Sequence, residues 1–249
     1  MRKLLIAISF FTRIPIKIKD VESEEFYKSM ILIPVVGALI GLFLYALVLG
    51  LNQFGLPDIT ALLTLIAYLW ITGGLHMDGV ADTCDAIFSA RDKDKMMEIM
   101  HDSRLGAFGA ISLIILLLAF FVFSKILLPV FPIVIAFMPI VGRYCSLQSS
   151  CFSSYAEGGG GLGKRITEYT HVRDIIIYLI LIIAALYFFS GIALCIAMGV
   201  TVVLNFLLMI YFNKKFGGIT GDMMGMTTEV TQVIFLFSTI IVLTITQGL

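Results

Sequence analysis

The sequence predicts an all-α fold, a polytopic integral membrane helix bundle of about seven transmembrane helices. Three observations carry that prediction. Hydrophobic residues make up 59% of the 249 and charged residues only 14%, whereas a soluble domain needs about 25% charge to cover its surface. Apolar runs near the roughly 20 residues that cross a bilayer recur along the chain. The charges collect between those runs.

In chain order, MRKLLIAISFF reads as an interfacial helix on the membrane, followed at once by Arg13, Lys17 and Lys19. Its apolar part is short and no small-residue cleavage site follows, which argues against a signal peptide. Spans are expected at about 31–51, 59–75, 107–124, 126–142, 175–190, 192–212 and 230–247. Pro129, Pro132 and Pro139 should bend the fourth, and a turn near Ser190–Gly191 separates the fifth from the sixth.

Charge orients the bundle. With the N-terminus cytoplasmic, residues 1–30, 76–106, 143–174 and 213–229 share one side. That side then holds every Lys and Arg except Lys125, and every acid except Asp58. The positive-inside rule places it in the cytoplasm, so the polar site should lie on the cytoplasmic face of an inner membrane. Residues 1–249 read as one membrane-embedded catalytic domain, with no internal repeat and no separate soluble domain. Formal net charge is zero, so no global field invites nucleic acid. Cys84, Cys145, Cys151 and Cys195 form no CxxC pair or metal-finger spacing and read as small buried apolar residues.

Three polar clusters carry the candidate chemistry. In GGLHMDGVADTCDAIFSARD, a helix would set Asp78, Asp82 and Asp85 at i, i+4 and i+7 on one face. Three like charges there need a cation, and Mg²⁺ takes carboxylate oxygens while keeping positions for water and phosphate. The alternative is a polar patch at the membrane edge. His76 does not share that face. Asp102 and Arg104 follow in HDSRLG, while the mixed charges of a helix near 91–101, Asp92 and Asp94 included, read as a solvated surface.

The second cluster, SSYAEGGGGLGKR, nearly matches a phosphate-binding P-loop. Arg165 stands where that motif has a hydroxyl residue and no strand precedes it, which argues against that NTPase fold. Glycine amides at Gly161 and Gly163, with Lys164 and Arg165, could still hold an anion; a flexible linker is the alternative. The third cluster, GGITGDMMGMTTE, places Asp222 and Glu229 two helical turns apart. Its alternative is a loop in which Thr227 or Thr228 caps the last span. Carboxylates for a metal, glycines and bases for phosphates, and a hydrophobic floor make a toolkit for phosphoryl transfer at a membrane surface.

GGLHMDGVADTCDAIFSARD, EIMHDSRLGAFG and GGITGDMMGMTTE together resemble the cobalamin synthase family, the adenosylcobinamide-GDP ribazoletransferases. SFFTRIPI and LIPVVGALIG resemble that family's opening, and the similarity runs over essentially the whole chain. Ala86 and Ala90 stand where glycines are expected, and Met226 where alanine is. The resemblance implies a membrane-bound, Mg²⁺-dependent transferase. In its reaction α-ribazole or α-ribazole 5′-phosphate attacks adenosylcobinamide-GDP, GMP leaves, and adenosylcobalamin or its 5′-phosphate is formed.

On that chemistry Asp78, Asp82, Asp85 and Asp222 are the expected metal ligands, and Asp82 or Asp102 the expected base. Arg104, Arg143, Gly161, Gly163, Lys164 and Arg165 would hold phosphate oxygens. Glu229 would bind substrate or complete a second metal site. The partners expected are the two substrates and the lipid bilayer, not nucleic acid; a homo-oligomer is left open. One rival is a CDP-alcohol phosphatidyltransferase-like enzyme, although Asp82 occupies the place where that family's DGxxAR motif has arginine. A further rival is an ion-coupled transporter, whose acids should instead lie at mid-membrane.

Overall fold

The computed structural model describes residues 1–156 and 162–248, with side chains described outside 162–165. Twelve α-helices run through the described residues: α1 Arg2–Phe11, α2 Ser23–Ser29, α3 Ile33–Leu51, α4 Pro57–Thr72, α5 Met77–Phe88, α6 Lys93–Met100, α7 Ala107–Leu127, α8 Val134–Phe152, α9 Leu162–Tyr169, α10 Val172–Ser190, α11 Ile192–Phe216 and α12 Gly221–Gln247. No β-strand occurs among them; Tyr155 and Ile219 form one isolated parallel bridge. The all-α expectation holds.

Five helical stretches are long and apolar enough to cross a membrane: Ser23–Phe54, which contains α3, and then α7, α10, α11 and α12. A sixth arises if α4 and α5 count as one broken span. Those two are bent by 94°, so α5 turns away from the axis of α4 and packs against the starts of α7 and α12. Gly73 and Gly74, at φ 67 and 64, make that turn in the left-handed region that favours glycine.

No such stretch falls among the described residues at 126–142, where the sequence predicts a span: α7 continues to Leu127 and the next helix, α8, runs Val134–Phe152. Its second half carries Arg143, Ser146, Gln148, Ser149 and Ser150, all buried. A helix enclosed on every side needs no apolar outer stripe. α8 is the hub, packing most extensively on α3 and α12 and also touching α10 and α11. A β-carbon at Gly37 would lie 2.6 Å from the Pro139 carbonyl oxygen, and one at Gly41 would overlap that of Ala136. The two glycines, one turn apart, let α3 and α8 approach backbone to backbone. Asn205 of α11 donates to Cys145 O at 3.0 Å and to Gln148 Oε1 at 2.8 Å, polar glue inside the bundle.

The outer helices are the reverse. Only 17% of the apolar window of α10 is buried and 22% of that of α7. Ile114, Ile115, Leu118, Ile180, Leu181 and Phe188 stand exposed on them, as side chains in contact with lipid tails would. At the end away from α5, Asn52 donates to Leu128 O at 2.7 Å. There Lys125 and Asp58, the two charges outside the polar loops, pair with each other at 2.7 Å.

Two termini differ from expectation. The last helix begins at Gly221 rather than near 230, and its cap is Thr220, whose hydroxyl accepts from Met223 N–H at 3.2 Å. Thr227 and Thr228 are buried inside the helix. α1 does more than rest on a surface: Ile6, Ala7, Ile8 and Phe11 are buried, and Arg13 N–H donates to Ile71 O at 2.8 Å, tying the segment to the end of α4.

Candidate active site

The expected helix under Asp78, Asp82 and Asp85 is α5. It crosses the first turn of α12 at Gly79, where a β-carbon would overlap the Asp222 carbonyl oxygen and lie 3.0 Å from the Asp222 Cα. The contact brings Asp222 beside the aspartates of α5. Asp78 is exposed; Asp82 and Asp222 are half-buried. Burial, then the charges of Asp78, Asp222 and Asp85, push the Asp82 carboxyl up to about 7. Asp78, Asp82 and Asp222 make no ion pair among the described residues.

Asp85 is held differently. It is buried, and its two oxygens accept from Gly106 N–H and Gly109 N–H, each at 2.8 Å. These are the N-cap amide and a first-turn amide of α7, so Asp85 caps that helix and meets its positive end. β-Carbons at Gly106 or Gly109 would run into the same carboxylate, which explains both glycines of RLGAFG. The charge repulsion expected among three aspartates is thus relieved at Asp85 by backbone amides.

Whether the site suits a divalent metal turns on its donors. No group of three His, Cys, Asp or Glu side chains among the described residues stands in ligand geometry. The donor chemistry nonetheless fits a hard cation: Asp78, Asp82 and Asp222 are carboxylates set close together, with no Lys or Arg paired to them among the described residues. Mg²⁺ is satisfied by one or two carboxylates plus waters and phosphate oxygens.

Asp102 and Arg104 are engaged with each other. Arg104 Nη2 donates to Asp102 Oδ2 at 2.6 Å and Nε to Oδ1 at 3.0 Å. The guanidinium holds the Asp102 carboxyl down at about 2, which makes it a weak proton acceptor. Asp92 is the N-cap of α6, its carboxylate accepting from Lys95 N–H at 2.9 Å, and Lys95 pairs with Glu98 at 2.6 Å. The solvated-surface reading of this helix stands.

Arg143 and Glu229 lie inside the bundle, not at its mouth. Arg143 is fully buried and donates to Pro139 O at 3.2 Å; its Nε and Nη2 have no partner among the described residues. Glu229 is buried two turns below Asp222 and accepts from Tyr68 O–H at 2.7 Å and from Gln232 N–H at 3.1 Å. His76 Nδ1 stands 3.4 Å from Glu229 Oε1, an ion-pair distance without hydrogen-bond alignment. The expectations on Gly161, and on the side chains of Gly163, Lys164 and Arg165, lie outside the described residues.

A cleft opens beside Asp222. Phe10, Phe11, Met30, Ile33, Leu147 and Ile166 form its apolar walls, while His76, Ser146 and Ser150 add polar edges. Sequence reasoning missed these residues. Phe10 and Phe11 look like lipid-facing positions in an isolated helix, and only packing turns them inward. By spacing alone, His76 does not share the face of Asp78. It precedes α5 as the N-cap residue, and is free to point towards α12.

The family model for CobS, cobalamin-5-phosphate synthase, matches residues 3–240. The chain belongs to this family. Among relatives named adenosylcobinamide-GDP ribazoletransferase, one from Clostridium acetobutylicum is 35% identical over 97% of both chains. One from Acetivibrio thermocellus is 37% identical over 95% of this chain and 96% of its own. One from Clostridium botulinum shows the same identity and coverage. No solved structure matches. As a member of the cobalamin-5-phosphate synthase family the chain is a transferase, and the carboxylates gathered at Gly79 lie within the matched region.

Proposed function

We propose that the chain joins α-ribazole, or α-ribazole 5′-phosphate, to adenosylcobinamide-GDP with release of GMP, in a Mg²⁺-dependent reaction. One observation carries the reading: α5 crosses α12 at Gly79 and sets Asp78, Asp82 and Asp222 together at the polar end of a membrane bundle. One or two of these carboxylates would hold the metal, which when bound supplies charge neutralisation for a diphosphate. Asp85 supports them from behind by fixing α5 to the start of α7.

In the reaction a ribose hydroxyl of the acceptor forms a P–O bond to the phosphate on the corrinoid arm. The P–O–P bond breaks and GMP carries away the electron pair. Asp82, with its proton affinity near neutral pH, is the group best placed to take the hydroxyl proton. Asp102, already bound to Arg104, is not. Arg104 is highly exposed and would exchange its Asp102 partner for a phosphate oxygen; Arg143, enclosed in the bundle, serves the fold instead.

The polar end is assigned to the cytoplasm, with seven spans counting α8 and α4 among them. The collection of nearly all Lys and Arg in the loops at that end supports this. Purified protein in lipid, given both substrates, should release GMP with Mg²⁺ and lose that activity in chelator. Undiminished product without divalent ions, or no GMP under any condition, would overturn the proposal.

A further inference from the structure

The cleft beside Asp222 has an unusual balance for an enzyme of phosphates. It offers a volume of about 250 Å³, just below the range of sites that enclose a whole drug-sized ligand. Its walls are aromatic and aliphatic, and no Lys or Arg lines it among the described residues. A diphosphate pressed against those walls would lose hydration that aliphatic and aromatic carbon cannot replace. The polar edges are few and partly committed. Ser146 O–H donates to Met224 O at 3.1 Å and Ser150 O–H to Leu147 O at 2.8 Å, so both hydroxyls already use their proton. With Asp222 engaged at the reacting phosphates, a guanine, with donors and an acceptor along one edge, finds few partners on these walls. A flat bicycle with few hydrogen-bonding groups fits far better.

The cleft also shares Asp222 with the carboxylate group of α5. A ligand seated in it would therefore present its other end to the reacting phosphates. Resting on the reaction proposed above, we infer that this cleft seats the aromatic base of the acceptor nucleoside, with its ribose towards Asp222. The N-terminal helix α1 then supplies a wall of the acceptor site through Phe10 and Phe11, whose rings meet edge to face at 4.9 Å. The charged nucleotide substrate stays outside the cleft, over Asp78 and Asp82.

Two variants test this without touching the carboxylates. Leu75 lines the mouth and is 40% exposed, so Leu75→Trp narrows the entry without burying new bulk in the core. Phe10→Ala removes part of the wall. Each should raise the KM for α-ribazole at least tenfold and leave the KM for adenosylcobinamide-GDP within twofold. Free benzimidazole should inhibit competitively against α-ribazole and not against the corrinoid nucleotide. Equilibrium dialysis of benzimidazole with the wild-type protein reads the cleft without turnover, and binding should weaken in both variants. A rise confined to the KM for adenosylcobinamide-GDP, or benzimidazole binding unchanged in both variants, overturns the inference. Absent GMP release by the wild type, with benzimidazole binding intact, overturns the reaction instead.

Discussion

Gly79 and Asp222 touch through their backbones, with no room for a β-carbon between α5 and the first turn of α12. The site depends on that contact, since it brings Asp222 of α12 to the aspartates of α5. Gly79→Ala should force the helices apart, at a cost of about 1–3 kcal/mol for an overpacked contact. GMP release should fall at least a hundredfold while the protein still inserts. Retention of wild-type turnover would mean that Asp222 is dispensable.

Asp82 couples the site to pH. Its carboxyl ordinarily titrates at 3.8 and in the fold at about 7, so between those values the folded chain binds more protons than the unfolded one. This group's contribution to stability therefore declines as pH rises through that window. In chelator, the melting temperature should drop between pH 5 and pH 8, and Mg²⁺ should restore more at pH 8. Asp82→Asn should flatten the profile and abolish turnover. An equal pH dependence in that variant would assign the effect elsewhere.

Asp85 separates support from ligation. Removing it leaves two amides at the start of α7 without an acceptor, so Asp85→Ala should cost about 1–3 kcal/mol. Mg²⁺ affinity, measured calorimetrically on the folded variant, should change less than threefold. A loss of Mg²⁺ binding as large as in Asp82→Ala would make Asp85 a ligand after all.

Ala90 sits at φ 53, in the left-handed region that costs a β-carbon about 1 kcal/mol or more. It is also a position where the family resemblance leads one to expect glycine. Ala90→Gly should raise stability by a few tenths to about 1 kcal/mol, the relief of strain outweighing the added freedom of the unfolded chain. A thermal-shift measurement in detergent reads the sign.

Arg143 and Glu229 are opposite charges enclosed in one bundle, both close to Tyr68. Losing one should leave the other uncompensated, a cost of about 3–5 kcal/mol for a coupled buried pair. Arg143→Met and Glu229→Gln should each destabilise strongly, and the double variant by less than the sum. Strict additivity in that cycle would show that the two charges do not sense each other.

Much of this was legible in the order of residues. Apolar runs with charges confined between them dictate a membrane bundle, because lipid tolerates neither exposed backbone nor scattered ions. The i, i+4, i+7 spacing of Asp78, Asp82 and Asp85 states a shared helical face, since those contacts are local. The sequence also singles out Lys125 and Asp58 as the charges left on the far side, and the structure pairs them.

Tertiary packing decided what those residues do. Three aspartates that look equivalent along α5 divide when α7 and α12 arrive: Asp85 meets two amides, Asp82 meets Asp222, and Asp78 stays in the open. Arg143 resembles a loop cation until α8 proves to be the hub. Phe10 and Phe11 resemble a membrane-facing surface until the cleft closes behind them. Periodicity records the neighbours a residue has along its own helix, whereas the partners from other helices depend on which backbones can approach. Here glycines at positions 37, 41 and 79 set that approach, and a glycine in a sequence does not say which backbone it admits.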